Sequence, residues 1–162
     1  MESETLLVCS VLALAAAAPM VFAADGIVRK TNHCSMTVPS DWVVKPGDPY
    51  AHSPAEPKAG PKNLGASSAR IDEFDPKVNL DMASQSILMG VQMSKGPPPD
   101  RSENAQRVIY KIGSTQGNPI WYALSKTQPV CHATVRFERG DAAQEAVAQK
   151  IVDSLRKNTT GG

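Results

Sequence analysis

The chain has 162 residues, with 17 Lys and Arg against 16 Asp and Glu, a formal net charge of +1, and 41% hydrophobic residues. This is enough chain for one domain with a real core. The basic residues are scattered singly, without the basic stripe and stacking aromatics of a nucleic-acid-binding surface, so nucleic acid is excluded as a partner.

The first segment, "TLLVCSVLALAAAAPMVFAA" from Thr5 to Ala24, carries no charge. Its apolar core ends at Pro19, and Val21 and Ala23 occupy the −3 and −1 positions of a cleavage after Ala23, the signature of a secretory signal over residues 1–23. Glu2 and Glu4 depart from the usual positive start, and the same stretch is just long enough for an uncleaved anchor. The internal proline and the cleavage motif favour a cleaved signal, with no stable membrane insertion afterwards. Removing 23 of 162 residues leaves a mature chain of 139. With Glu2 and Glu4 gone, 14 acids face 17 bases, a mild net charge of +3.

"CSMTVP" alternates apolar Met36 and Val38 with polar neighbours, and "DWVV" follows; together they predict one or two short strands. The next stretch, Lys45 to Lys62, holds five prolines from Pro46 to Pro61 and predicts an exposed loop, with His52 solvated in it. A third strand is expected in "ASSARIDEF". Then the period changes. Asn79 is a good N-cap, and Leu80, Ala83, Ile87, Leu88 and Val91 share one helical face, so a helix should run to about Met93 and stop at "KGPPPD". Gly96 to Asn104 reads as a short polar interruption.

"QRVIYKI", "PIWYALSKT" and "VCHATVRFE" predict three antiparallel strands, the first two joined by a glycine-containing hairpin loop and the last two separated by Gln128 and Pro129. The final helix, "GDAAQEAVAQKIVDSLRK", is capped by Asp141, with Gln144 placed for a capping box. Its apolar stripe is Ala143, Val147, Ile151 and Leu155, and Arg156 and Lys157 in the last turn complement the helix dipole. "NTTGG" reads as a frayed tail. Helices burying one face on an antiparallel sheet make an α+β layered domain over residues 24–162.

The early "TVPSDW" at Thr37–Trp42, the central helix, the three closing strands and "AQKIVDSL" at Ala148–Leu155 resemble the PsbP-like family of small exported proteins. The resemblance implies an antiparallel sheet sandwiched between helices. It implies little about function, because the family's members are mostly accessory or binding proteins without a shared catalytic site.

Chemistry-bearing residues are few. His33–Cys34 and Cys131–His132 mirror each other, but adjacent strand residues point to opposite faces, so the four do not converge on one zinc ion. In an oxidising compartment the expected role of Cys34 and Cys131 is a structural disulfide. If the two cysteines sit directly opposite on paired strands, His33 faces His132 across the sheet, a weak transition-metal candidate. Asp72, Glu73 and Asp75 form an acidic cluster without EF-hand spacing, better read as a charged turn before the helix. Ser154 and Lys157 spell S-x-x-K, but in an ordinary amphipathic helix. No nucleophile elbow or phosphate loop occurs, and no catalytic residue or cofactor is assigned. Trp121 and Tyr122 are adjacent on a strand and must face opposite sides, so either both are core or one is an exposed anchor for a partner. The sequence therefore points to an accessory or binding protein of the bacterial envelope, periplasmic or secreted, with a protein partner. A hydrolase with an unfamiliar site and a weak metal binder are the alternatives.

Overall fold

The computed structural model describes residues 26–45, 47–54, 67–113 and 117–159. The signal segment 1–23, most of the second half of the Pro-rich stretch, the middle of the "GSTQGN" loop and the last three residues of the chain lie outside them.

In chain order the elements are β1 (Gly26–Lys30), β2 (Cys34–Pro39), β3 (Trp42–Lys45), β4 (Asp48–Pro54), β5 (Ser68–Glu73), α1 (Leu80–Met93), β6 (Asp100–Glu103), β7 (Arg107–Ile112), β8 (Ile120–Ser125), β9 (Cys131–Arg136), α2 (Ala142–Ser154) and β10 (Arg156–Lys157). They form an α+β fold with two antiparallel sheets. One is seven-stranded, in the order β3-β4-β5-β9-β8-β7-β6, and the other is three-stranded, in the order β1-β2-β10.

Side-chain alternation along the strands divides the core in two. On one face of the large sheet, Ala69, Ile71, Trp121, Ala123, Ala133 and Val135 pack against Met36 and Val38 of β2 and against Ala148, Ile151 and Val152 of α2. On the other face, Val108, Tyr110 and Leu124 meet Ala83 and Ile87 of α1. The small sheet and α2 thus share one outer layer and α1 forms the other, so both faces of the large sheet carry a helix.

The predicted helices form because their caps and periods agree. Asn79 accepts a hydrogen bond from the Met82 amide at 2.9 Å, and α1 ends at Met93 before Gly96 and the prolines. In α2 the Asp141 carboxylate accepts from the amides of Ala143 and Gln144, both at 3.0 Å. The expected capping box is not closed. The Gln144 side chain accepts from the Glu138 amide at 3.0 Å, while the Asp141 amide donates to the Glu138 carbonyl. Asp141 is therefore the dominant cap, and Asp141→Ala should cost about 1 kcal/mol in a denaturant melt without changing the m-value.

Four expectations need correction. The Pro-rich stretch is not a loop throughout, because its first part is strand β4, turned back from β3 by Gly47 at φ +80°. The prolines are tolerated because the register between β3 and β4 shifts at Val44/Lys45, which leaves Pro49 out of the ladder, and Pro54 ends the strand. Gly96–Asn104 contains edge strand β6, whose fully exposed sequence "DRSE" has no apolar period to announce it. In α2, Ala143 is exposed and the buried stripe runs through Ala148, Ile151, Val152 and Leu155. Finally, Arg156 and Lys157 are not the last helical turn but strand β10, paired with Ser35 and Cys34 of β2. Asn158 follows as an anchor, its amide donating to the His33 carbonyl at 2.6 Å and its side chain to the carbonyls of Thr31 and Asn32.

Candidate functional site

The cysteines are joined. Cys34 of β2 and Cys131 of β9 form a disulfide with Cα atoms 5.6 Å apart and both residues fully buried. It links the small sheet to the large one, so the two cysteines are not cross-strand neighbours of one ladder. That changes the histidines. Glu73, not Cys34, stands opposite Cys131, and Asp72, not His33, stands opposite His132.

His33 leaves the strand at the β1–β2 turn, where its Nδ1 lies 3.1 Å from a Glu73 carboxylate oxygen and its amide donates to the other oxygen at 3.0 Å. Thr31 donates to the same carboxylate at 2.6 Å. Burial pushes the Glu73 pKa up, but the hydrogen bonds from Thr31 and His33 outweigh it and hold the carboxyl below its ordinary value. Glu73 thus works as a clamp on the turn that precedes Cys34.

His132 lies between the rings of Phe74 and Tyr122, at centroid distances of 5.6 and 5.7 Å, with Nε2 3.2 Å from the Thr134 hydroxyl. Burial pushes its pKa down to about 4, with Asp72 opposing and Arg70 reinforcing the shift. The two imidazoles hold separate partners and do not form a pair. Among the described residues no group of three or more His, Cys, Asp or Glu is placed to hold a metal ion.

His52 is not solvated. It is 1% exposed on β4, neither ring nitrogen has a hydrogen-bond partner among the described residues, and burial, reinforced by Arg29, lowers its pKa against the pull of Asp48.

A cleft of roughly 190 Å³ is lined by Thr31, Asn32, Tyr50, Asp72 and Glu73. It is smaller than the roughly 300–1,000 Å³ of a typical small-molecule site. Its acids are engaged: Asp72 takes Arg70 on both oxygens at 2.7 and 3.0 Å, and Glu73 is filled by the turn. Asp75 caps the Lys77 amide at 2.8 Å, so the acidic cluster does not converge. The S-x-x-K pair does not meet either. Ser154 accepts from the Thr37 amide, and Lys157 donates to the Gln128 carbonyl.

Trp121 and Tyr122 do face opposite sides, and both sides are covered. Trp121 is 4% exposed, with Phe137 edge-on at 5.1 Å and the Lys111 ammonium 3.8 Å from its ring centre. It is core, and no partner anchor. Tyr122 is half-buried and stacks on His132. No known protein family and no curated protein matches this chain.

A row of exposed apolar side chains stands outside both core clusters. On the outward side of α1, Met82, Met89 and Met93 are 52%, 60% and 79% exposed, with exposed Ser86 and Gly90 between them. Asp81 is the only charge within the helix. Methionine is flexible and polarisable, so an outward methionine row is an adaptable apolar surface of the kind used to bind other proteins. The edge strand of the seven-stranded sheet, β6, is charged at three of its four residues and discourages edge pairing.

Proposed function

We propose that this chain is a small exported accessory or binding protein of the bacterial cell envelope, periplasmic or secreted, that works through protein–protein contacts on a PsbP-like layered scaffold. The observation that carries the reading is the uncharged methionine face of α1. The helix already buries Ala83, Ile87 and Val91 on its inner side, so its outward methionines add nothing to this chain's own core. The compartment is supported by the signal-like residues 1–23 and by a buried disulfide, a bond that persists where the surroundings are oxidising. Among the described residues no helix is long and apolar enough to cross a membrane.

Met89→Glu tests the reading. The residue is exposed, so the variant should melt within about 2 °C of the parent, surface changes of this kind being worth under about 0.5 kcal/mol. In native gels of envelope extract the parent should run in a complex that the variant loses. Unchanged migration of the variant would count against α1 as the contact surface. A substrate turnover abolished by a point change in the folded protein would overturn the binding role in favour of an enzyme.

A further inference from the structure

The outward residues of α1 follow the spacing 4-3-4: Met82, Ser86, Met89, Met93. Three-four spacing is that of an a/d seam, which stays on one side of a helix and meets a partner helix. The order is also symmetric under reversal. Rotation about the point between Ile87 and Leu88 exchanges position 82 with 93 and position 86 with 89. An identical antiparallel helix therefore sets Met82 against Met93 of the other copy, and Met89 against the small Ser86. Beside Met89, a side chain at Gly90 would meet no atom within 4 Å beyond its chain neighbours and its own helix backbone, which leaves room for an incoming methionine.

Charge placement gives the same answer. Asp81 stands at one end of the row and Lys95 just beyond the other, both exposed, and neither is in an ion pair among the described residues. In the antiparallel pair each Asp81 comes beside Lys95 of the other copy, at both ends, and the two helix dipoles oppose. A parallel pair would put like charge on like charge.

We infer that the partner for this face is a second copy of the same chain, docked through an antiparallel, two-fold α1–α1 seam. This rests on the reading of α1 as the contact surface and names its occupant. Such an interface is isologous: Met82 meets Met93 of the other copy, and Met93 meets its Met82. A 14-residue helix is about 21 Å long. A seam of that length is at the small end of specific interfaces, so the dimer should dissociate on dilution.

Sedimentation of the purified mature protein should show a monomer–dimer equilibrium in the micromolar range, weakened at least about ten-fold by Met89→Glu. Asp81→Lys and Lys95→Asp should each weaken it, and the two together should restore it to within about two-fold, because the charges exchange ends. Circular dichroism melts on all variants separate loss of pairing from loss of fold. For orientation, protein with Met82→Cys is mixed with protein carrying Met93→Cys and oxidised. The expected product is the mixed 82–93 crosslink, with little crosslinking of Met82→Cys alone. A chain that stays monomeric to about 1 mM, a double variant no better than the singles, or a dominant 82–82 crosslink would overturn the inference. Monomeric purified protein whose Met89→Glu variant still loses an envelope complex would overturn the self-pairing alone and leave the contact surface standing.

Discussion

Cys34→Ser should remove about a third or more of the stability of the domain. The bond joins residues 97 apart in sequence, and closing a loop of that size is worth about 4–5 kcal/mol in the chain-entropy model. Small domains hold about 5–15 kcal/mol in all. The bond also joins two sheets that share no hydrogen-bonded ladder, so its loss frees β2 to separate from β9. Guanidinium melts of Cys34→Ser, Cys131→Ser and the double variant should show similar large losses, because one bond disappears in all three. A loss under about 1 kcal/mol would mean that packing of Met36, Val38 and α2 alone holds the layers together.

Acid should destabilise the protein in a window set by His132. Its pKa is about 4 in the fold against an ordinary value of 6.5, so the unfolded chain takes up the proton first. The stabilisation is complete above about pH 6.5, declines as pH falls toward 4, and is fully lost below that. A shift of this size corresponds to about 3 kcal/mol. His52 is shifted in the same direction and adds to the slope. Glu73 is shifted below its ordinary 4.5, so its contribution is lost only at more acid pH and is separable. His132→Phe keeps a ring between Phe74 and Tyr122 but cannot be protonated. Melts from pH 7.5 to 4 should show a shallower decline for the variant than for the parent. Parallel curves would place the acid sensitivity elsewhere.

The parts of this fold legible in the sequence are those whose pattern is local. α1 combines an N-cap, a 3.6-residue period and a proline stop, and its bounds agree with the structure. β7, β8 and β9 alternate strongly enough to be read as a meander. The elements missed are made by their neighbours. β1, β6 and β10 have no apolar period that commits them to strand, and become strands because β2 or β7 offers an edge. β4 was hidden by Pro49 and Pro54, whose tolerance depends on a bulge that only the pairing reveals.

The candidate site divides in the same way. The disulfide followed from the expected compartment and the cysteine count, which are read from the whole chain. The relation of His33 to His132 depended on which sheet β2 joins, and β2 pairs with β1 and β10 rather than β9. The Trp121/Tyr122 alternation was right, but both faces of β8 are covered. α1 carries two apolar stripes, through Ala83, Ile87 and Val91 and through Met82, Met89 and Met93. The 4-3-4 row was visible in the sequence, yet only burial shows which stripe the domain leaves outside.

The most direct measurement of the central claim replaces Met89 with a photo-crosslinking amino acid in cells and compares it with the same probe at Arg101 on β6, also exposed. The account predicts a discrete crosslinked product from position 89, of dimer mass if the partner is a second copy, and only background from position 101. Equal labelling at the two positions, or no product from position 89, would contradict a contact surface on α1.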